Sequence, residues 1–166
     1  MTTLLYKIYI RTRCSFMLLS CIALYLSANG QAFNYENIAA HPRLLLKQGE
    51  EQQIKASIRK SAELKKVDDY ILKISDQSIT KPPLVFQKEG RRLLALSRKA
   101  LTRLFYLSYS FRMTGDSKYA KRAETELNAL CKFESWNPSH FLDVGEMCMG
   151  VAIAYDWLYD QLKQST

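Results

Sequence analysis

Between Leu142 and Leu158 the chain carries a segment so apolar that few surroundings can hold it. Val144, Met147, Cys148, Val151, Ala154, Tyr155 and Leu158 recur at helical spacing, while Ala152 and Ile153 occupy much of the face that would otherwise meet water. A helix of this composition is expected to be buried on nearly all sides, which requires other helices around it. Its acidic residues, Asp143 and Glu146 near the start and Asp156 and Asp160 near the end, then lie at the edges of a core or line a cavity. The helix macrodipole disfavours negative charge at a C-terminus, so Asp156 and Asp160 are expected to pair with basic residues from elsewhere.

Those neighbours can be read along the chain. Ile54 and Ile58, then Leu64, Val67, Ile71 and Ile74, mark two amphipathic helices over Glu50–Lys60 and Ala62–Ser75, or one helix broken near Ser61. Gln77 to Gly90 reads as a loop, because Lys81-Pro82-Pro83 excludes helix, with Leu84–Phe86 as a short extended piece. From Arg91 to Met113 a helix is expected, with Leu93, Leu96, Ala100, Leu104, Leu107 and Phe111 on one stripe and Arg92, Lys99, Arg103 and Ser110 opposite. Gly115 suits a left-handed position and Asp116 can cap the next helix, Ser117–Cys131. That helix places Tyr119, Ala123, Leu127 and Leu130 on one face and Lys118, Arg122, Glu126 and Asn128 elsewhere, and so short a turn requires an antiparallel hairpin. Phe33–Leu46 reads as an irregular arm, with His41-Pro42 biased to extended geometry. Apart from Leu84–Phe86 no alternating segment occurs, so the fold class is all-α.

Residues 1–32 have the layout of a secretory signal peptide: a basic start (Lys7, Arg11, Arg13), an apolar run from Phe16 to Leu26, and small or polar residues from Ser27 to Gly30. The run is shorter than the roughly 20 residues of a spanning helix. Cleavage is expected near Gly30 or Ala32, with no stable membrane span afterwards and a periplasmic or secreted product. The Leu18-Leu19-Ser20-Cys21 run faintly resembles a lipoprotein site, but Cys21 is followed by further apolar residues. Removing the three basic residues lowers the formal charge from +8 to about +5, which favours an anionic partner without choosing among acidic polysaccharide, nucleic acid and membrane headgroups. Cys131 and Cys148 remain and are expected as two buried thiols. With only His41 and His140, and no CxxC spacing, neither a zinc site nor any other cofactor is expected.

The strings His41-Pro42-Arg43-Leu44-Leu45, EGRRLLALSRKAL from Glu89 to Leu101, FYLSYSFRMTGDSKYAKRAETEL from Phe105 to Leu127, WNPSHFLDVGEM from Trp136 to Met147 and YDWLYDQL from Tyr155 together resemble the N-terminal part of heparinase II/III-type polysaccharide lyases, over about residues 41–162. The resemblance implies a partial α/α toroid built of antiparallel helical hairpins over residues 33–166. In a full-length enzyme a β-sandwich-rich part would follow, so a truncated toroid is expected. It also implies an acidic polysaccharide partner, heparin, heparan sulfate or a related uronic-acid glycan, cleaved by β-elimination. A base removes the C5 proton of the uronate, cationic or neutral groups stabilise the enolate-like carboxylate, and an acid protonates the leaving oxygen. None of the residues with those roles is matched in this chain, which is therefore expected to line substrate without completing the catalyst.

In such a toroid the loop entering an inner helix opens toward the cleft, which makes Trp136, Asn137 and His140 the candidate substrate-binding residues. A Trp face can stack on a sugar ring, and Asn137 and His140 can hydrogen-bond hydroxyl or sulfate groups. Equally, Trp136 can plug the core, Asp143 can simply cap the helix, and His140 can be a satisfied structural residue. The cationic cluster Arg91, Arg92, Arg98, Lys99 and Arg103 can hold sulfate or carboxylate, although its spacing follows the solvent side of a helix. The competing class is a helical-repeat protein- or glycan-binding module without catalysis. No period near ~34 residues recurs to support a regular array, and nucleic-acid binding has only the charge in its favour.

Overall fold

Helix α1 spans Glu51–Lys60 and α2 spans Ala62–Ile79, separated at Ser61, whose extended backbone and side-chain acceptance from the Leu64 N–H start the second helix. These lie in a computed structural model that describes residues 38–162. Helix α3 runs Leu94–Thr114, α4 Ser117–Cys131 and α5 Phe141–Trp157, followed by a 3₁₀ turn at Tyr159–Gln161. Among the described residues there is no strand, only an isolated antiparallel bridge between Glu89 and Arg92, so the molecule is all-α. The expected signal peptide, residues 1–32, lies outside the described residues. No described helix is long and apolar enough to cross a membrane.

The α3–α4 connection forms as its residues dictate: Gly115 takes φ 76°, its N–H closing on the Phe111 carbonyl, and the Asp116 side chain accepts from the Lys118 N–H. Helix α3 is the central element, packing against α2, α4 and α5. Leu96, Ala100, Leu104 and Leu107 of α3 meet Tyr119, Ala123, Leu127 and Leu130 of α4 and Met147, Ala154 and Leu158 of α5 in the main core. A smaller cluster of Leu46, Ile153 and Trp157 gathers Ile54, Phe105 and Tyr109.

Helices α3 and α5 run parallel. Contacts advance together along both: Arg92 with Asp143, Arg98 with Glu146, Leu101 with Gly150, and Phe105 with Trp157. Helix α4 is the antiparallel return that allows two parallel helices to lie side by side.

Several expectations are corrected. Helix α5 is not buried on nearly all sides: Phe141, Leu142, Met149 and Tyr155 are exposed, because α3 covers one flank and no described element covers the other. Cys131 and Cys148 are free thiols, but both are exposed: Cys131 is the last residue of α4, and Cys148 lies beside the exposed Met149. The helix expected from Arg91 begins at Leu94, because Glu89–Arg92 folds into a tight turn at Gly90 (φ 59°). Helix α2 continues past Ser75 to Ile79, so the loop starts later than Gln77, and Leu84–Phe86 pairs with no strand. Leu64 and Val67 of α2 stay exposed, while Ser75 and Ser78 are its buried residues. Arg103, Ser110 and Glu126 are not on wet faces. Glu126 is fully buried and accepts from Arg103 Nη1 at 2.6 Å, from Arg122 Nη2 and from the Leu84 N–H at 3.0 Å. Ser110 Oγ lies 2.8 Å from Ser75 Oγ in the α2–α3 contact.

Of the arm, residues 33–37 lie outside the described residues, and the part from His41 to Leu46 packs on the C-terminal end of α5. The His41–Pro42 peptide is cis. Buried Asp156 accepts from the Arg43 and Leu44 N–H groups at 2.9 and 2.8 Å and hydrogen-bonds His41 Nδ1, while Trp157 Nε1 donates to the Leu44 carbonyl at 2.7 Å. Asp156 thus finds its partners outside its own helix; Asp160 is exposed.

Two glycines of α5 test the parallel contact. A Cβ on Gly150 would sit 2.8 Å from the Leu101 Cα, a backbone atom that cannot turn aside, whereas one on Gly145 would meet nothing within 4 Å. Replacing a helical Gly by Ala gains up to about 1 kcal/mol of helix propensity, and forced overpacking costs about 1–3 kcal/mol. Gly145→Ala is expected to raise the urea midpoint and Gly150→Ala to lower it.

Candidate functional site

The parallel arrangement brings the N-terminal ends of α3 and α5 to the same end of the molecule, where the turn before α3 meets the Lys132–His140 loop. Asp143, in the first turn of α5, is fully buried and organises this junction. It accepts from Arg92 Nε and Nη2 at 3.1 and 2.8 Å on one oxygen, and from the Leu93 N–H and Asn137 Nδ2, each at 2.7 Å, on the other. The Arg92 hydrogen bond is the main reason its carboxyl is held well below the usual carboxylate range. Desolvation opposes this, and the Leu93 N–H and Asn137 amide reinforce it. Asp143 is therefore the tie between two loops, more than a cap for its own helix.

Each candidate residue has a definite place. Trp136 is partly buried against the main core and its Nε1 donates to the Leu130 carbonyl at 3.0 Å, closing the end of α4. Asn137 is buried, with φ 59°, a left-handed conformation Asn tolerates. Besides Asp143, its Nδ2 donates to the Arg91 carbonyl at 3.0 Å. Its hydrogen-bonding capacity is thus taken up inside the protein. His140 is the N-cap position of α5 without capping through its side chain; its Nδ1 lies 3.3 Å from Asn137 Nδ2 and 3.2 Å from Ser139 Oγ, and its ring is partly exposed. Of the three, Trp136 and His140 are partly exposed and Asn137 is buried.

Next to His140, Phe141 is 86% exposed, an open aromatic face at the first position of α5. Sequence reading missed it because an apolar residue at a helix start is expected to point inward. The cationic cluster divides. Arg92 and Arg103 are engaged with buried carboxylates, Arg98 Nε meets Glu146 at 3.2 Å near the surface, and Arg91 and Lys99 are exposed. The Arg92–Asp143 pair had no local signal, since its partners are 51 positions apart. Among the described residues no group of His, Cys, Asp and Glu is arranged to hold a metal ion.

The class this fold defines is an all-α protein in which two parallel helices, α3 and α5, are joined by the antiparallel α4, with Phe141, His140 and Arg91 near the N-terminal ends of the pair. No protein-family model matches the chain, and no curated protein matches it either.

Asp143 yields two expected outcomes. Asp143→Ala leaves the buried Leu93 N–H unpaired and removes one of the Asn137 amide's bonds while Arg92 can turn to water, so a loss of about 1–3 kcal/mol is expected in urea unfolding. A carboxylate whose folded pKa is depressed contributes stability that is complete above its unfolded pKa, about 3.9, and is lost as pH falls toward the folded value. The thermal midpoint is therefore expected to drop below about pH 4, and to drop less steeply in Asp143→Asn, as followed by circular dichroism.

Proposed function

We propose that this chain is the N-terminal portion of an α/α toroid of the heparinase II/III type, that it lines the path of an acidic, uronic-acid-containing glycan, and that it is exported. The observation that carries this reading is the parallel pair α3 and α5, joined by the antiparallel α4, with the second flank of α5 left apolar and open. An inner toroid helix needs such a flank to receive the next hairpin. The rim at the N-terminal ends of the pair supports the ligand class: Phe141 offers a ring face for a sugar, His140 offers a hydrogen-bonding edge, Arg91 adds charge, and two helix N-termini favour anions. The β-elimination chemistry comes from the sequence resemblance alone, and the base and acid it requires are not matched here. A fold of this kind hosts many activities, so the reaction rests on that analogy.

A second reading, a helical binding module without catalysis, draws on the exposed Leu64, Val67 and Tyr70 of α2, which form an apolar stripe suited to a protein partner.

The two readings part on heparin. On the first, purified protein binds heparin at low salt, binding fades as salt is added, and Phe141→Ala weakens it by about threefold to tenfold, the worth of one aromatic contact. Heparan sulfate incubated with the chain alone gains no ultraviolet absorbance from unsaturated uronate. Absence of heparin affinity at low salt in a well-folded sample would favour the binding module, and sustained product absorbance abolished by His140→Ala would show that the chain is itself a catalyst.

A further inference from the structure

A groove of about 560 Å³ lies between the C-terminal part of α2 and the first half of α3, away from the His140 rim. Ser78, Lys81, Arg98, Lys99, Thr102 and Arg103 line it, and no acidic side chain does. Among the described residues neither Lys81 nor Lys99 makes an ion pair. Arg103 at its margin shares the single carboxylate of Glu126 with Arg122, so two guanidinium groups meet one negative charge and the trio carries a net positive charge into the wall. Arg122 Nε is buried without a hydrogen-bond partner, a further sign that this cluster holds more donor capacity than its carboxylate satisfies. A second cavity of about 290 Å³, bordered by the Pro82–Val85 loop and by Glu89, shares Lys99 and Arg103 with the groove.

Unpaired cations that line one concavity reinforce each other's potential there. The free Lys81 and Lys99 ammonium groups, with the Thr102 and Ser78 hydroxyls beside them, make a donor set for a tetrahedral or planar oxyanion; Arg98 also borders the groove, with its Nε held by Glu146 at 3.2 Å. No aromatic ring lines the groove, so it lacks the stacking platform on which single-stranded nucleic acids depend.

We infer that this groove is an oxyanion-binding site, in which Lys81 and Lys99 hold a sulfate or carboxylate group of an acidic glycan. The site itself stands on the geometry; that its anion is carried on a glycan rests on the function proposed above. A glycan engaging both this groove and the His140 rim gains from the second contact without a second encounter. The groove selects for charge density, so a sulfated chain is expected to outcompete an unsulfated uronate polymer.

The test uses the full chain. Inorganic sulfate, titrated against sodium chloride at matched ionic strength, is expected to shift the amide resonances of Lys99 and Thr102, and the Lys81→Gln/Lys99→Gln variant is expected to lose that response at an unchanged thermal midpoint. The same variant is expected to bind heparin about tenfold more weakly at low salt, with the slope of log affinity against log salt reduced by roughly 1.5, as for two lost cation contacts to a polyanion. Lys55→Gln on α1 serves as the charge control and is expected to change neither. Heparin binding undiminished in the double variant, with no sulfate response in the wild type, would overturn the groove while leaving the glycan reading intact. A sulfate response without heparin affinity would uphold the groove and overturn the glycan. Tighter binding of a single-stranded oligonucleotide than of heparin through the same lysines would overturn the glycan as carrier.

Discussion

A buried carboxylate that accepts backbone N–H groups from an irregular segment is the interaction on which this structure depends. It occurs three times. Asp143 takes the Leu93 N–H, Glu126 takes the Leu84 N–H, and Asp156 takes the Arg43 and Leu44 N–H groups. Each joins a helix to a stretch that has no ladder of its own in which to place its donors, and an N–H left unpaired in the interior is expensive. The charge that does this is itself costly to bury, and in each case a cationic or ionisable partner offsets the cost: Arg92, the Arg103–Arg122 pair, and His41. Apolar packing holds the helices together; these carboxylates decide where the loops lie.

The division of labour between the two basic residue types follows. Arg92, Arg103, Arg112 and Arg122 all reach carboxylates inside or at the edge of the core, where a planar fork with several donors satisfies a carboxylate better than a compact ammonium. The guanidinium charge is thereby largely consumed in the fold. What faces solvent as free positive charge is carried mainly by lysine, and the basic balance of the composition is a property of the surface more than of the interior.

Helix count, the Ser61 break, the Gly115–Asp116 turn and the core stripes of α3 and α4 were legible in the sequence, because each rests on contacts within a few residues or on a 3.6-residue period. Glu126 and Arg103 were misplaced because periodicity assigns a charged residue to water unless its partner is known, and the partners here are 23 positions apart. The extent of burial of α5 was misread for a related reason: composition reports what a helix tolerates, while coverage depends on which neighbours lie alongside. At the candidate site the loop and its residues were recognised, but the sequence could not say which face each would turn. Asn137 turns inward to bridge two loops, Trp136 and His140 are each partly exposed, Trp136 closing the end of α4, and the open position is Phe141.

The approach of Gly150 to the Leu101 backbone has a mechanical consequence. Two helices that approach this closely leave no room for a side-chain layer at that level, so the contact fixes their separation there and is the pivot about which any tilt would turn. His140 lies ten positions from that pivot, about 15 Å along the axis at 1.5 Å per residue. A tilt of about 5° there moves the rim by only about 1 Å at that lever length. The spacing between the two helix N-termini is thus held at two levels, by Gly150 against Leu101 two to three turns away and by Asp143 on Arg92 and the Leu93 N–H at the ends themselves.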